Sequence, residues 1–219
     1  ELIVIVGQNP GTNHPRMLTA LEKAKHRGAR IVAINPLPEA GFGRFRNPQT
    51  PRGLLGRGTV LADVHLPVRV NGDLALFAGV NKALLAREDA APGTVLDHDF
   101  IAAHCDGFDA AADALRALDW AIVTELSGLS RQQIEQFASS VIESNSVVVC
   151  WAMGLTQHRN AVATIREIVN FLLLRGNICK PGAGPSPIRG HSNVQGDRTM
   201  GIWEKMPDSS LDRLREEFG

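Results

Sequence analysis

The chain opens with a continuous apolar run, residues 2–6, that is rich in β-branched side chains. Such a run is typical of a strand buried on both faces of a parallel sheet, because a half-exposed strand alternates apolar and polar positions. Apolar residues at helical spacing follow, with Pro15 in the first turn and Gly28 at the place of a C-terminal cap. A second apolar run, residues 30–35, completes a right-handed βαβ unit. The first part of the chain therefore predicts an α/β fold.

Strands and helices alternate along much of the remaining chain, as periodicity and capping residues indicate. In chain order we predict a strand at residues 64–70, a helix capped by Asp73, two short helices within residues 97–118, a helix opened by a Ser130–Gln133 capping box, a strand at residues 146–151, a helix ending at Gly176 and a short helix after Pro207. We expect a Rossmann-like parallel sheet with helices on both faces, in a domain of residues 1–180. Residues 181–219 are predicted to form a Gly/Pro-rich, loop-rich extension toward a next domain.

One long segment, residues 36–61, is rich in glycine, proline and arginine and has no periodicity. Loops of this length inside a compact domain are uncommon and are often functional. We therefore predict a functional loop without assigning it secondary structure.

Charge and hydropathy disfavour two classes of partner. Lys and Arg total 23 and Asp and Glu total 23, so no overall positive field would attract nucleic acid. The longest apolar runs, such as residues 31–34 and 171–174, are too short to cross a bilayer. We predict neither a nucleic-acid partner nor a membrane segment.

The three cysteines, Cys105, Cys150 and Cys179, are far apart and show no C-x-x-C spacing. We interpret them as buried structural thiols of a protein from a reducing compartment, and predict a cytoplasmic location. Because Glu1 stands directly before an apolar strand, we expect the chain to be an internal segment of a longer protein.

Ligands of open parallel sheets bind beyond the carboxyl ends of the strands, so the loops there carry the functional prediction. The first loop, residues 7–15, has glycines at Gly7 and Gly11, which match neither G-x-G-x-x-G nor the lysine-bearing phosphate loop. It is equally consistent with a nucleotide site and with a tight turn in which Asn13 or His14 caps the helix. His14 is a poor metal ligand, since no second ligand stands at suitable spacing.

Two later tracts are also polar. Residues 151–158 follow a predicted strand and offer hydrogen-bond donors to a phosphate, although a polar helix entry explains them better when taken alone. Residues 187–201 place amides, an imidazole and two guanidinium groups between glycines, which favours function. Arg189 is the strongest single candidate, because a fixed guanidinium binds an anionic substrate through paired hydrogen bonds.

Three ordered motifs carry a resemblance to a known family: W-A-M-G-L-T-Q-H at residues 151–158, G-N-I-x-x-P-G-x-G at residues 176–184, and R-G-x-x-N-V-Q-G-x-x-x-M-G at residues 189–201. Together with G-Q-N-P at residues 7–10 and N-G-D at residues 71–73, they resemble the molybdopterin oxidoreductases that include formate dehydrogenases. The resemblance implies a molybdenum or tungsten centre held by two molybdopterin guanine dinucleotides, and a small-molecule substrate. It implies that the metal-ligating residue and any iron–sulfur cysteines precede Glu1 in the whole protein, and it leaves the electron acceptor open.

The resemblance also implies roles for particular residues. Arg189 matches the formate dehydrogenase arginine that approaches the substrate and is the predicted catalytic residue. The predicted cofactor-binding residues are Gly7, Asn9, His14, Asn35 and Asp73 near one nucleotide half, Met153, Gly154, Thr156 and Gln157 near the pterins, and Gly190, His191, Asn193 and Gln195 in the last motif. His191 stands where formate dehydrogenases carry an amide, which leaves the substrate open.

Two other hypotheses remain open on sequence grounds. The first is an NAD-binding domain of a dehydrogenase, but G-x-G-x-x-G is missing and Asn35 stands where an acidic residue would hold the ribose. The second is a non-catalytic regulatory α/β module, which the polar density of residues 189–201 disfavours.

Overall fold

The fold is taken from a computed structural model that describes residues 1–190, 194–202 and 206–219. Its core is one sheet of five strands that are all parallel. The strands are β1 (Leu2–Val6), β2 (Arg30–Ile34), β3 (Val64–Leu66), β4 (Val147–Trp151) and β5 (Gly184–Pro187). Their order across the sheet is β3-β2-β1-β4-β5, which is a Rossmann-like arrangement. The predicted fold class is confirmed.

The unbroken apolar runs are explained by burial on both faces of the sheet. In β1, Val4 and Val6 belong to the larger hydrophobic cluster, whereas Ile5 belongs to the smaller one on the opposite face. Leu18 and Leu21 of the first long helix also belong to the smaller cluster. Successive side chains of a strand point to opposite faces, so both faces of β1 require apolar residues.

Five helices lie between β1 and the middle of the chain. They are α1 (Pro10–Asn13), α2 (Pro15–His26), α3 (Ala40–Gly43), α4 (Pro51–Leu54) and α5 (Asp73–Ala90). The helix predicted after Pro15 is confirmed, and Gly28 adopts a left-handed φ of 89° just beyond its end. The segment of residues 36–61 is not a plain loop, since it contains α3 and α4.

Eight helices follow in the described part of the remaining chain. They are α6 (His98–His104), α7 (Phe108–Ala117), α8 (Trp120–Ser127), α9 (Arg131–Ile142), α10 (Met153–Thr156), α11 (Ala161–Leu174), α12 (Val194–Thr199) and α13 (Asp208–Phe218). The Ser130–Gln133 capping box of α9 is confirmed in both of its hydrogen bonds. The sequence interpretation missed α8, whose N-cap is Asp119.

Two strand predictions need correction. The strand expected at residues 64–70 is only Val64–Leu66, since the chain then turns toward Ser127, whose carbonyl accepts from Arg69 N. Strand β5 was not predicted at all, because its sequence contains two prolines. Among the described residues it pairs on one side only, with β4, and an edge strand tolerates proline where an inner strand does not.

The chain divides into two compact units, Glu1–Ile188 and Arg189–Gly219. The first unit includes β5 and so extends past residue 180. The second contains α12 and α13. Among the residues described, no helix is long and apolar enough to cross a membrane.

The cysteines are not uniformly buried. Cys150 lies in the core and burial raises the pKa of its thiol to about 11. Cys105 is half-buried, and burial also raises the pKa of its thiol. Cys179 is exposed, with a positive φ of 58°, so the prediction of a buried thiol is wrong there.

Candidate cofactor site

The strand order reverses direction between β1 and β4. Strands β2 and β3 lie on one side of β1, and β4 and β5 lie on its other side. The loops that follow β1 and β4 therefore diverge at the carboxyl edge of the sheet, and open α/β sheets bind ligands in the crevice at this switch point. The first loop starts at Gly7, and the second leads into α10 at Met153.

The two loops touch backbone to backbone at a pair of glycines. Gly154 N donates to Gly7 O over 3.1 Å. A Cβ atom on Gly7 would lie 2.7 Å from Leu155 Cδ1, and one on Gly154 would lie 2.3 Å from Gly7 O. Gly7 also has a φ of +56°, which side-chain-bearing residues rarely adopt. The turn predicted at Gly7 is confirmed, and both glycines are sterically required.

A carboxylate joins the loops after β1 and β2. Asn9 Nδ2 donates to Glu39 Oε2, and Asn35 Nδ2 donates to Glu39 Oε1 over 3.2 Å. Asn35 Nδ2 is also 3.4 Å from Gln8 O. The backbone carbonyl oxygen of Asn35 lies 2.9 Å from His65 Nε2. The structure therefore brings the predicted residues Asn9 and Asn35 together, through an acidic residue that the sequence interpretation did not select.

The capping roles in the first loop differ from the expectation. Asn9 caps α1, accepting from Thr12 N through Oδ1 over 3.1 Å. His14 occupies the N-cap position of α2, one of the two predicted places, but its side chain makes no capping hydrogen bond, and Asn13 belongs to α1. The predicted cap is therefore confirmed in position at His14, without the side-chain bond.

Gln8 is buried under this loop with part of its amide unsatisfied. Its side chain is 3% exposed, and its Nε2 lies 3.3 Å from His14 Nδ1 and 3.2 Å from Met17 Sδ. Gln8 Oε1 is buried and has no hydrogen-bond partner among the described residues. Buried acceptors are usually satisfied, so this oxygen indicates a place where a donor is expected.

Asp73 does not cap α5, since Gly72 occupies the N-cap position without a side-chain bond. Asp73 is instead the first residue of the helix, only 3% exposed, with its Oδ2 3.7 Å from His158 Nδ1. Burial raises the pKa of Asp73 to about 6, and the His158 imidazole opposes that rise. His158 Nδ1 is itself buried without a hydrogen-bond partner in the described part of the chain.

The other predicted residues after β4 are open to solvent. Met153 is 60% exposed, and Thr156 and Gln157 are also exposed, at and just after the end of α10. Gln157 Nε2 lies 3.8 Å from Met153 Sδ. This loop thus forms a short helical turn whose polar side chains remain available to a ligand.

The last predicted tract is described only in part. Arg189 and Gly190 are exposed and begin the second compact unit. His191 and Asn193 lie outside the described residues, as does the side chain of Gln195 in α12. Their predicted roles therefore stay predictions.

Three residues at this edge were missed as candidates: Gln8, Glu39 and His158. Glu39 had a signal, because it is the one acidic residue in the segment of residues 36–61. His158 had been quoted in its motif but not selected, since its partner Asp73 is distant in sequence. Within the described ranges, no three His, Cys, Asp or Glu side chains are placed to hold a metal ion.

Comparison with known proteins identifies the family of this chain. A family model described as molybdopterin oxidoreductase matches residues 1–211. An uncharacterized oxidoreductase of Mycobacterium tuberculosis is 54% identical over the whole chain, and protein YdeP of Escherichia coli K12 is 45% identical over the whole chain. The chain spans 28% and 30% of the lengths of these relatives.

Two more distant proteins are also similar. Formate dehydrogenase H of Escherichia coli K12 is 28% identical over 95% of this chain, which covers 26% of that protein. The structure of acetylene hydratase from Pelobacter acetylenicus matches with a TM-score of 0.67 at 18% identity, over 83% of this chain and 22% of that one. The latter supports the fold alone. Because the family model covers nearly all of the sequence, the chain belongs to the molybdopterin oxidoreductase family.

Proposed function

We propose that this chain holds the nucleotide half of a molybdopterin guanine dinucleotide, within a formate dehydrogenase-like enzyme that carries out two-electron redox chemistry on a small substrate. The observation that carries the proposal is the switch point between β1 and β4, where two glycine-containing loops meet at the carboxyl edge. Dinucleotides bind at this position in open α/β sheets.

The residues at the edge fit such a ligand chemically. Amide side chains at Asn9 and Asn35 suit the polar edge of a base or the hydroxyls of a ribose, and the exposed Thr156 and Gln157 offer donors to phosphate. Gln8 Oε1 and His158 Nδ1 are buried without partners in the described structure. A bound group that presents hydrogen-bonding atoms would satisfy them.

Glu39 has a positioning role in this proposal. Its carboxylate accepts one amide proton from Asn9 and one from Asn35, so it fixes both side chains in one orientation. The remaining hydrogen-bonding atoms of both amides then point in fixed directions. Less side-chain conformational entropy is therefore lost when a ligand binds.

The metal centre of the family's cofactor supplies the two-electron chemistry when it is bound, and the protein binds and orients it. We assign Arg189 to the neutralisation of an anionic substrate such as formate, because a guanidinium pairs with a carboxylate through two hydrogen bonds. The substrate, the cytoplasmic location and the contribution of the remaining domains are parts of this proposal.

The first test is analysis of the purified whole protein for molybdenum and tungsten, coupled to acid release of GMP. We expect stoichiometric metal with about two GMP per metal, as two guanine dinucleotides require. An active preparation with neither metal nor GMP would overturn the proposal, and tight NADH binding by such a preparation would support the NAD-binding alternative.

A paired substitution tests the role of the carboxyl edge. We expect Asn35→Ala/Glu39→Ala to lower the metal and GMP contents about tenfold, which corresponds to a loss of ~1.4 kcal/mol in binding. The matched control is Glu143→Ala/Asn145→Ala, which removes the same residue types just before β4, at the opposite edge. Equal losses in both variants would contradict the assignment.

A further inference from the structure

A second surface on the first unit has an unusual composition. Residues 40–60, the arginine lobe, contain four arginines and no Asp, Glu or Lys. Arg44, Arg46, Arg52 and Arg57 are all exposed. Among the residues that the structure describes, none forms a hydrogen bond or ion pair with these four guanidinium groups. The chain as a whole has no net charge, so this positive charge is a local feature.

The arginine lobe is held firmly at its base by one carboxylate. Glu22 of α2 is 9% exposed and accepts from Asn47 Nδ2 over 2.8 Å and from Thr59 Oγ1 over 3.0 Å. Asn47 is itself 5% exposed. Hydrogen bonds to a buried carboxylate are stronger than neutral ones, so the lobe is fixed to α2 at two points, one on each side of α4.

Backbone pairing and close packing reinforce this base. Phe45 and Thr59 exchange two backbone hydrogen bonds of 2.9 and 2.8 Å. A Cβ atom on Gly53 would lie 1.9 Å from Asn47 O, so α4 packs directly against the preceding turn. Phe42, 4% exposed, joins the core. The lobe is therefore a built structure rather than a loose connection.

The tip of this structure displays apolar side chains to solvent. Leu54 and Leu55 are 74% and 80% exposed. They follow one another at the end of α4, between Arg52 and Arg57. Adjacent exposed leucines on a fixed turn, flanked by cations, have the composition of an interface with an apolar centre and a charged rim.

The side chains of the lobe favour an acidic protein over an anionic membrane or a nucleic acid as the partner. Arginine is enriched and lysine depleted at protein interfaces, and the guanidinium pairs with carboxylates bidentately. An anionic membrane is less suitable, because α4 has four residues and cannot form an amphipathic interfacial helix. A single-stranded nucleic acid needs exposed aromatic side chains for stacking, whereas Phe42 is buried and Phe45 half-buried.

We propose that the arginine lobe is a docking surface for an acidic protein partner, whose carboxylates pair with Arg44, Arg46, Arg52 and Arg57 around an apolar pocket that receives Leu54 and Leu55. Electrostatic attraction of this kind raises the rate of encounter and makes it sensitive to salt. The lobe follows Glu39 directly, and Gly41 of its α3 packs against Gly11 of the first loop. The four arginines and two leucines are not among the residues assigned to the cofactor, so the proposal does not depend on which cofactor the loops bind.

The test uses the whole protein and a fluorescent glutamate-rich peptide that carries phenylalanine, with a version carrying serine instead. We expect the phenylalanine peptide to bind more tightly, and its affinity to fall as salt is added. Arg52→Glu/Arg57→Glu should weaken binding about tenfold, and Leu54→Ser/Leu55→Ser should abolish the preference for phenylalanine. Arg27→Glu/Arg87→Glu is the matched control, since both arginines are exposed and the charge change is the same.

Several outcomes would overturn the proposal. These are no binding of either peptide, equal weakening in the control, or tighter binding to phosphatidylcholine–phosphatidylserine vesicles or to oligothymidylate. Protection of the four arginines from phenylglyoxal in the free whole protein, relative to Arg27, would show that its own chain covers the lobe. Metal and GMP contents, measured on the same variants, report on the cofactor proposal separately.

Discussion

Helix α5 carries a buried acidic residue near each end, and the two have opposite environments. Asp73, at the carboxyl edge of the sheet, is 3% exposed, and burial raises its pKa to about 6, opposed by His158. Glu88, in the last turn of the helix, is 5% exposed. Burial acts to raise the pKa of Glu88 too, but hydrogen bonds from His98 and from backbone N–H groups outweigh it and lower the pKa to about 2.

The difference lies in the number of donors. Glu88 accepts from His98 Nε2 over 2.7 Å and from the backbone N–H groups of Gly93, Val95 and Leu96. Asp73 has His158 at 3.7 Å. One end of the helix is therefore a satisfied structural anchor, whereas the other keeps a carboxylate at a cost to stability. Such costs concentrate where a protein binds a ligand.

The largest expected effect concerns the anchored end. Glu88→Ala should lower the local free energy of unfolding of α5 by about 4 kcal/mol at pH 7, because several buried donors lose their acceptor. The loss should shrink as pH falls from about 4 toward 2, since protonation then removes the same carboxylate in the unaltered protein. Native-state hydrogen exchange of α5 amides measures it. Asp89→Ala, an exposed neighbour paired with Arg116, should cost less than about 1 kcal/mol.

A substitution at Asp73, at the other end of α5, is expected to raise the stability of the helix. Because the pKa of Asp73 is raised on folding, its carboxyl weakens the fold as pH rises from about 4 to 6 and beyond. Asp73→Asn should therefore stabilise α5 by about 3 kcal/mol at pH 7 and by less than about 1 kcal/mol at pH 4. Asp109→Asn, an exposed first-turn aspartate of α7, is the control. A gain that is the same at both pH values would refute the buried-charge explanation.

A smaller effect isolates the partner of Asp73. His158 lowers the pKa of Asp73, so His158→Gln should raise that pKa further above its usual range. The pH range in which α5 loses stability would then extend upward. Hydrogen exchange of α5 across pH 5 to 8 follows the shift, and an unchanged midpoint would show that the two side chains do not interact.

The fold could be predicted where local pattern and burial agree. The apolar runs of β1, β2 and β4 and the capping box of α9 require no distant partner, and all were found. Strand β5 was not, because its hydrogen bonds to β4 outweigh its proline content at a sheet edge. The short helix α4 was missed for a related reason, since Glu22, which binds Asn47 and Thr59 on either side of it, belongs to α2.

The sequence predicted where the site lies better than it predicted which side chains contact each other there. The motifs identified the loops after β1 and β4, and the structure brings them to one edge. The sequence did not show that Glu39 joins Asn9 to Asn35, or that Asp73 faces His158 rather than capping α5. These contacts link residues distant in sequence, and hydrophobic periodicity carries no information about polar pairs.

The contact between Gly7 and Gly154 has a consequence for how this domain can change. A methyl group on either glycine would collide with the other loop. Neither loop can therefore be exchanged alone. A transplant of the first loop into another sheet must bring the second with it. The two segments, far apart along the chain, must therefore be engineered as one part.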